Sequence, residues 1–180
     1  FKFNKKGEYK LQIKVNDGFI LKDISFMFYE TKICYVDFSH FDISNVITMR
    51  SVFSGCTKLR NVDLSQFNTT LVGDMSYMFN SCKKLETLDV SNFNTSNVTE
   101  MDNMFYNCYG LTTLGESNVK NWDTAKVTTM GSMFSSCSNL TSLDLSSFSW
   151  KESISMSYMF DNCSSLCSIE LFPLDKLENT

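Results

Sequence analysis

The stretch "MSYMFNSCKKLETLDVSNF", residues 75–93, decides the fold because it recurs. Met49, Met75, Met101, Met130 and Met156 head successive copies, 26, 26, 29 and 26 residues apart. Phe53, Phe79, Phe105, Phe134 and Phe160 follow in register, then Cys56, Cys82, Cys108, Cys137 and Cys163, then Leu59, Leu85, Leu111, Leu140 and Leu166. A fixed step of this kind marks a repeat architecture in which each copy is one structural unit. A degenerate copy, "DISFMFYETKICYVDFSHF" at 23–41, precedes the five once a one-residue deletion is placed before Ile33. Glu30 is read as standing in the cysteine place of this copy. Three extra residues fall between Leu114 and Trp122, because Trp122 to Val127 match Phe93 to Val98 without a gap.

The hydrophobic period changes within a unit. Val98, Met101, Met104, Phe105 and Cys108 fall on one face of a helical turn or two, with Asn97 and Glu100 placed as a capping pair, which predicts a short helix or 3₁₀ turn. In "LETLDVSNF", Leu85, Leu88 and Val90 alternate with Thr87, Asp89 and Ser91, the period of a short strand with one buried face. One unit cannot bury its own apolar stripe, but stacked units share a core. The expected fold is therefore a leucine-rich-repeat-like α/β solenoid. A parallel strand ladder lines its concave face, and short helices or 3₁₀ turns line its convex face. Residues 19–172 hold six units, residues 1–18 read as an N-terminal β-hairpin cap, and residues 173–180 as a C-terminal cap or tail.

The units Met75 to Phe93 and Met130 to Phe148 follow M-x-x-M-F-x-x-C-x-x-L-x-x-L-D-L-S-x-F in whole or nearly so. They resemble the BspA-like leucine-rich repeats and the similar 26-residue repeat of bacterial surface lipoproteins. The resemblance implies a cell-surface or secreted protein used in adhesion or host interaction, and no enzymatic activity. The chain departs from the pattern at Gly115 and Glu116, which stand for Asp-Leu, and at "FSWKESISM".

With 16 basic and 20 acidic residues the net charge is −4, and no stretch concentrates Lys and Arg, so a nucleic-acid footprint is not expected. No run approaches the eighteen or so apolar residues of a spanning helix, so no membrane contact is expected within this stretch. The chain has a single histidine, His40, and no CxxC; neither a zinc site nor a nucleophile–histidine–acid arrangement is expected from it. Glycine is sparse and forms no phosphate-binding loop. No cofactor, metal or catalytic residue is expected, and the methionines and phenylalanines read as core.

Five of the seven cysteines share one repeat position and read as a ladder of buried free thiols. Cys163 and Cys167 are the one close pair, with a terminal disulfide as the alternative to two free thiols. Asp37, Asp63, Asp89 and Asp144 form an outward row with two readings. They line a recognition surface, or each accepts backbone or serine hydrogen bonds that hold the turn after its strand; the second is favoured, since a residue repeated in every unit specifies the scaffold. The expected contact strip is Tyr35, Asn61, Asp63, Thr87, Asp89, Thr113, Ser142 and Asp144, with Trp150 on the rim either exposed as an anchor or partly buried against a neighbouring unit. The partner expected is a protein or glycan, host or extracellular-matrix material included, met at a cell surface or outside the cell. The rivals are an intracellular scaffold, which unpaired cysteines favour, and a structural stalk for a distal adhesive domain.

Overall fold

A computed structural model describes residues 20–38, 41–115, 119–151 and 154–171. The expected N-terminal hairpin, His40, the middle of the insertion and the C-terminal tail beyond Leu171 lie outside the described residues. Four short strands are assigned among them, and they pair in parallel two by two. β1 (Tyr35–Val36) pairs with β2 (Asn61–Val62), Tyr35 facing Asn61. β3 (Ser142–Asp144) pairs with β4 (Ser168–Glu170), Ser142 facing Ser168. A single parallel bridge joins Thr87 to Thr113 between these pairs. The alternation expected for the strand half holds: Leu85, Leu88 and Val90 are buried, while Thr87 and Asp89 are exposed.

The Met-Phe half differs from the expectation. Among the described residues it contains no α-helix and no 3₁₀ helix; it is a chain of turns. Alternate N–H groups within it take different partners. The amides of Met78, Asn80 and Cys82 bond back three residues, to Met75, Tyr77 and Phe79, at 3.3, 3.0 and 3.1 Å. Those of Met75, Tyr77, Phe79 and Ser81 cross to the next unit, to the carbonyls of Glu100, Asp102, Met104 and Tyr106, at 3.0, 2.8, 2.9 and 2.7 Å. A helix needs every N–H directed along its own axis, so a segment that sends half of them sideways cannot be one. The apolar spacing that suggests a helix is satisfied instead by these turns.

Turning so tightly places two residues of each unit in the left-handed region, as at Tyr77 (φ 59°) and Ser81 (φ 58°), or Asn103 (φ 54°) and Asn107 (φ 62°). Type II turns require a positive φ at their third residue, which Gly and Asn tolerate best. Unit 1 obeys the same rule and corrects the alignment. Glu30 (φ 54°) stands at the left-handed place of Gly55 (φ 76°), and Thr31 occupies the cysteine place, its Oγ1 3.4 Å from Cys56 Sγ.

A continuous column of parallel bridges runs through all six units, from Asp23 through Thr48, Asp74, Glu100 and Thr129 to Ser155. Inside it, two ladders of aromatic rings fill the core. Phe28, Phe53, Phe79, Phe105, Phe134 and Phe160 stack face to face with centroids 5.3 to 6.0 Å apart. In the second ladder Phe67, Phe93, Trp122 and Phe148 stack 6.2 to 6.5 Å apart, with Phe38 edge-on to Phe67 at 4.8 Å. Trp122 standing over Phe93 confirms that the three extra residues lie before it. Such ring pairs add about 0.5–1.5 kcal/mol each beyond the area they bury.

The left-handed positions give a direct test. Ser81→Gly relieves a strained backbone and is expected to raise stability by about 0.5–1 kcal/mol. Gly55→Ala is expected to lower it by about 1–3 kcal/mol. There a Cβ would lie 2.8 Å from Glu30 Cγ and 3.2 Å from its Cα, on a backbone already at φ 76°. Urea unfolding midpoints of the two variants check both signs.

Candidate functional site

The strand halves of units 1 to 3 form one side of an open groove of about 510 Å³. Five of the expected contact residues, Tyr35, Asn61, Asp63, Thr87 and Asp89, line it. The sequence reading did not place Asn92 in the strip, yet it stands at the groove's edge. Its amide reaches back to the carbonyl of Leu64 at 2.8 Å and so couples two units. The other three expected residues do not join this groove. Thr113 is half-buried with its hydroxyl on the Gly115 carbonyl at 3.3 Å, and Ser142 and Asp144 belong to the separate β3–β4 pair.

The aspartates hold turns. Asp63 Oδ1 accepts the Ser65 amide at 2.9 Å, Asp89 Oδ1 the Ser91 amide at 2.9 Å, and Asp144 Oδ1 the Ser146 amide at 3.0 Å and its hydroxyl at 2.6 Å. Asp23, Asp42 and Asp123 do the same for Ser25, Ser44 and Ala125, as do Asn68 and Asn94 for Thr70 and Ser96. These are Asx turns, in which the side chain replaces a backbone partner two residues on. The Ser65 amide holds the Asp63 carboxyl below its ordinary value, against the pull of Asp37 nearby; the Ser91 hydroxyl and amide do so for Asp89 and the Ser146 hydroxyl for Asp144. One oxygen of each carboxylate is thus committed to the fold. Tyr35, at 59 % exposure, is the one large ring among the described residues that line the groove.

The thiols have a definite role. Cys56, Cys82, Cys108, Cys137 and Cys163 each donate to the carbonyl of the phenylalanine one unit earlier, Phe28, Phe53, Phe79, Phe105 and Phe134, at 3.0 to 3.2 Å. The first four are buried, Cys163 is half-buried, and desolvation pushes all five thiols up from their ordinary value. The alternative of a Cys163–Cys167 disulfide is not realised: both are free, and Cys167 is exposed with its Sγ on the Ser165 carbonyl at 3.2 Å. A thiol aimed at the preceding unit is not aimed at a neighbouring sulfur. Trp150 is half-buried, its ring 5.9 Å from Phe148 and its Nε1 donating to the Leu171 carbonyl at 3.2 Å, so of its two readings the structure takes the buried one. Among the described residues no group of three or more His, Cys, Asp or Glu could hold a metal ion, and no helix is long and apolar enough to cross a membrane.

Two measurements follow from this chemistry. In the folded chain a maleimide is expected to label Cys34 and Cys167, which are exposed, and to reach Cys56, Cys82, Cys108 and Cys137 only after denaturation, counted by mass spectrometry. The turn carboxylates ionise at lower pH in the folded than in the unfolded chain. Their stabilisation is therefore full above an unfolded value near 3.9 and lost as pH falls through the folded values. Urea midpoints are expected to fall below about pH 4. Asp89→Asn, which keeps an oxygen acceptor as Asn68 and Asn94 do, is expected to flatten that fall.

No curated protein matches the chain. A leucine-rich-repeat protein of T. pallidum, known from its crystal structure, is similar in fold, with a TM-score of 0.56 at 19 % identity, covering 88 % of this chain and 67 % of that one. The likeness shows a leucine-rich-repeat-like fold with parallel strands, in keeping with the paired strands and bridges described above. Residues 22–117 and 109–179 match a family described as Mycoplasma protein of unknown function, DUF285, rather than one named for BspA, and together these segments take in most of the chain. The chain belongs to the DUF285 family.

Proposed function

We propose that the chain is a non-enzymatic recognition module that binds a protein or glycan through the strand-side groove, at a cell surface or outside the cell. In this reading the units wind as a solenoid with the strands on its concave face. The observation that carries it is the groove of about 510 Å³ in which Tyr35, Asn61 and Thr87 face outward. Among the described residues these three side chains make no hydrogen bond, which leaves them available to a partner while Asp63 and Asp89 beside them hold turns. A shallow polar groove with one aromatic suits a macromolecule making many modest contacts. The resemblance to BspA-like repeats supports the surface setting.

A second reading, an intracellular interaction scaffold, rests on one observation. Cys34 and Cys167 are exposed free thiols, which an oxidising compartment tends to pair. The four buried thiols do not bear on the choice, because burial protects them in either setting.

The test is binding of the purified chain to arrayed extracellular-matrix proteins and glycans. It is repeated with Tyr35→Ala, Asn61→Ala and Thr87→Lys, which leave every Asx turn intact. A hit weakened at least tenfold by these variants, with unchanged circular dichroism, supports the groove. Binding indifferent to all three, or no binding in the array, rejects the surface reading through this groove.

A further inference from the structure

The turn segments carry a second groove, independent of the strand-side one. Counting from the Met position, the third residue of units 1 to 3 is Phe26, Ser51 and Tyr77, and the sixth is Tyr29, Ser54 and Asn80. Unit 2 has serine at both places and its neighbours carry larger side chains, so a depression of about 300 Å³ opens between them, lined by these six residues and Arg50. Its volume sits near the lower end of small-ligand pockets, roughly 300–1,000 Å³.

The walls are rings. Phe26 and Tyr29 meet edge to face at 5.6 Å and are 52 % and 47 % exposed. The Tyr77 ring is fixed by the Arg50 guanidinium 5.0 Å from its centroid. Arg50 is itself held by the Ser76 hydroxyl at 2.6 Å, and by Asp74 and Glu100 at 3.7 and 3.9 Å. The floor is polar: Ser51 and Ser54 are 5 % and 6 % exposed, and neither hydroxyl has a hydrogen-bond partner among the described residues. Buried hydroxyls are normally bonded, and each can both donate and accept. Unit 5 repeats the two serines as Ser132 and Ser135, but between Asn103 and Tyr158, with a ring on one side only.

We propose that this groove binds one ring of a neutral, hydroxyl-rich carbohydrate. Phe26 and Tyr77 flank the C–H faces of the sugar, while Ser51, Ser54 and Asn80 bond its hydroxyls. A charged ligand fits less well, because two carboxylates already balance the one cation at the site. An extended peptide strand fits less well too: the surrounding backbone is engaged in the inter-unit ladder, Ser51 N–H on the Ser76 carbonyl at 3.0 Å and Glu30 N–H on the Ser54 carbonyl at 2.7 Å.

The test is calorimetric titration of the purified chain with maltotriose, cellotriose and the trimer of N-acetylglucosamine, with amide chemical shifts to locate any site. At least one of the three is expected to bind and to shift Ser51 and Ser54. Ser54→Ala and the double variant Phe26→Asn, Tyr77→Asn are each expected to weaken it at least tenfold. Asparagine occurs naturally at the same left-handed position, as Asn103, so the double variant keeps the backbone. Thr87→Lys, in the strand-side groove, is expected to change nothing, which separates this assignment from the function proposed above. The proposal is overturned if none of the three sugars binds, if a charged oligosaccharide or a peptide takes the groove in preference, or if Thr87→Lys abolishes binding. It is equally overturned if Ser54→Ala binds as the parent does, the serine then being satisfied by water alone.

Discussion

Everything in this molecule depends on where alternate backbone N–H groups of the Met-Phe segment go. Directed along their own segment they would make a helix; directed sideways they weld each unit to the next. Four such bonds leave each complete unit for its neighbour, and the left-handed residues at Tyr77 and Ser81 or Asn103 and Asn107 are the conformational cost of aiming them. The aromatic ladders and the thiol-to-carbonyl bonds then fill and bridge the interface that the backbone has fixed. A residue at each repeated position is therefore answerable to the unit beside it, and this is why Met, Phe, Cys and Leu recur while the surface residues drift.

Much of this was legible in the sequence because burial repeats with the unit. The cysteine column, the inward set Leu85, Leu88 and Val90, and the match of Trp122 to Phe93 all follow from register alone. The helix did not follow, for a physical reason: residues spaced as on a helical face are also buried by successive turns, and hydrophobic period cannot tell the two apart. The clue available was the run of Ser, Asn and Gly at two fixed places, Ser51 and Gly55, Ser81, Asn103 and Asn107, which suits left-handed backbone better than helix interior. The same clue would have placed Glu30 beside Gly55 and Thr31 beside Cys56.

The strand-side groove was readable only in part. Outward alternation picks out Tyr35, Asn61 and Thr87, and of the repeated aspartates Asp63, Asp89 and Asp144 hold turns. That the groove runs along units 1 to 3 and omits Ser142 and Asp144 depends on how the units stack, which no single unit encodes. The turn-side groove was invisible for a related reason. It arises from a contrast between neighbours, serines at 51 and 54 against rings at 26, 29 and 77, and contrasts of that kind emerge only once the units are stacked.

The bridge column from Asp23 to Ser155 has a further consequence for how such a chain can change over generations. Because the backbone bonds of each unit run to those before and after it, duplication or loss of a whole 26-residue module leaves every remaining backbone junction chemically familiar. Gaining or losing one residue inside a Met-Phe segment would instead swap amides that bond sideways with those that bond back. The three surplus residues between Leu114 and Trp122 fall before the second ring ladder, in a connection the column does not traverse. Length variation among related chains should therefore come in modular steps, with small irregular ones confined to that connection.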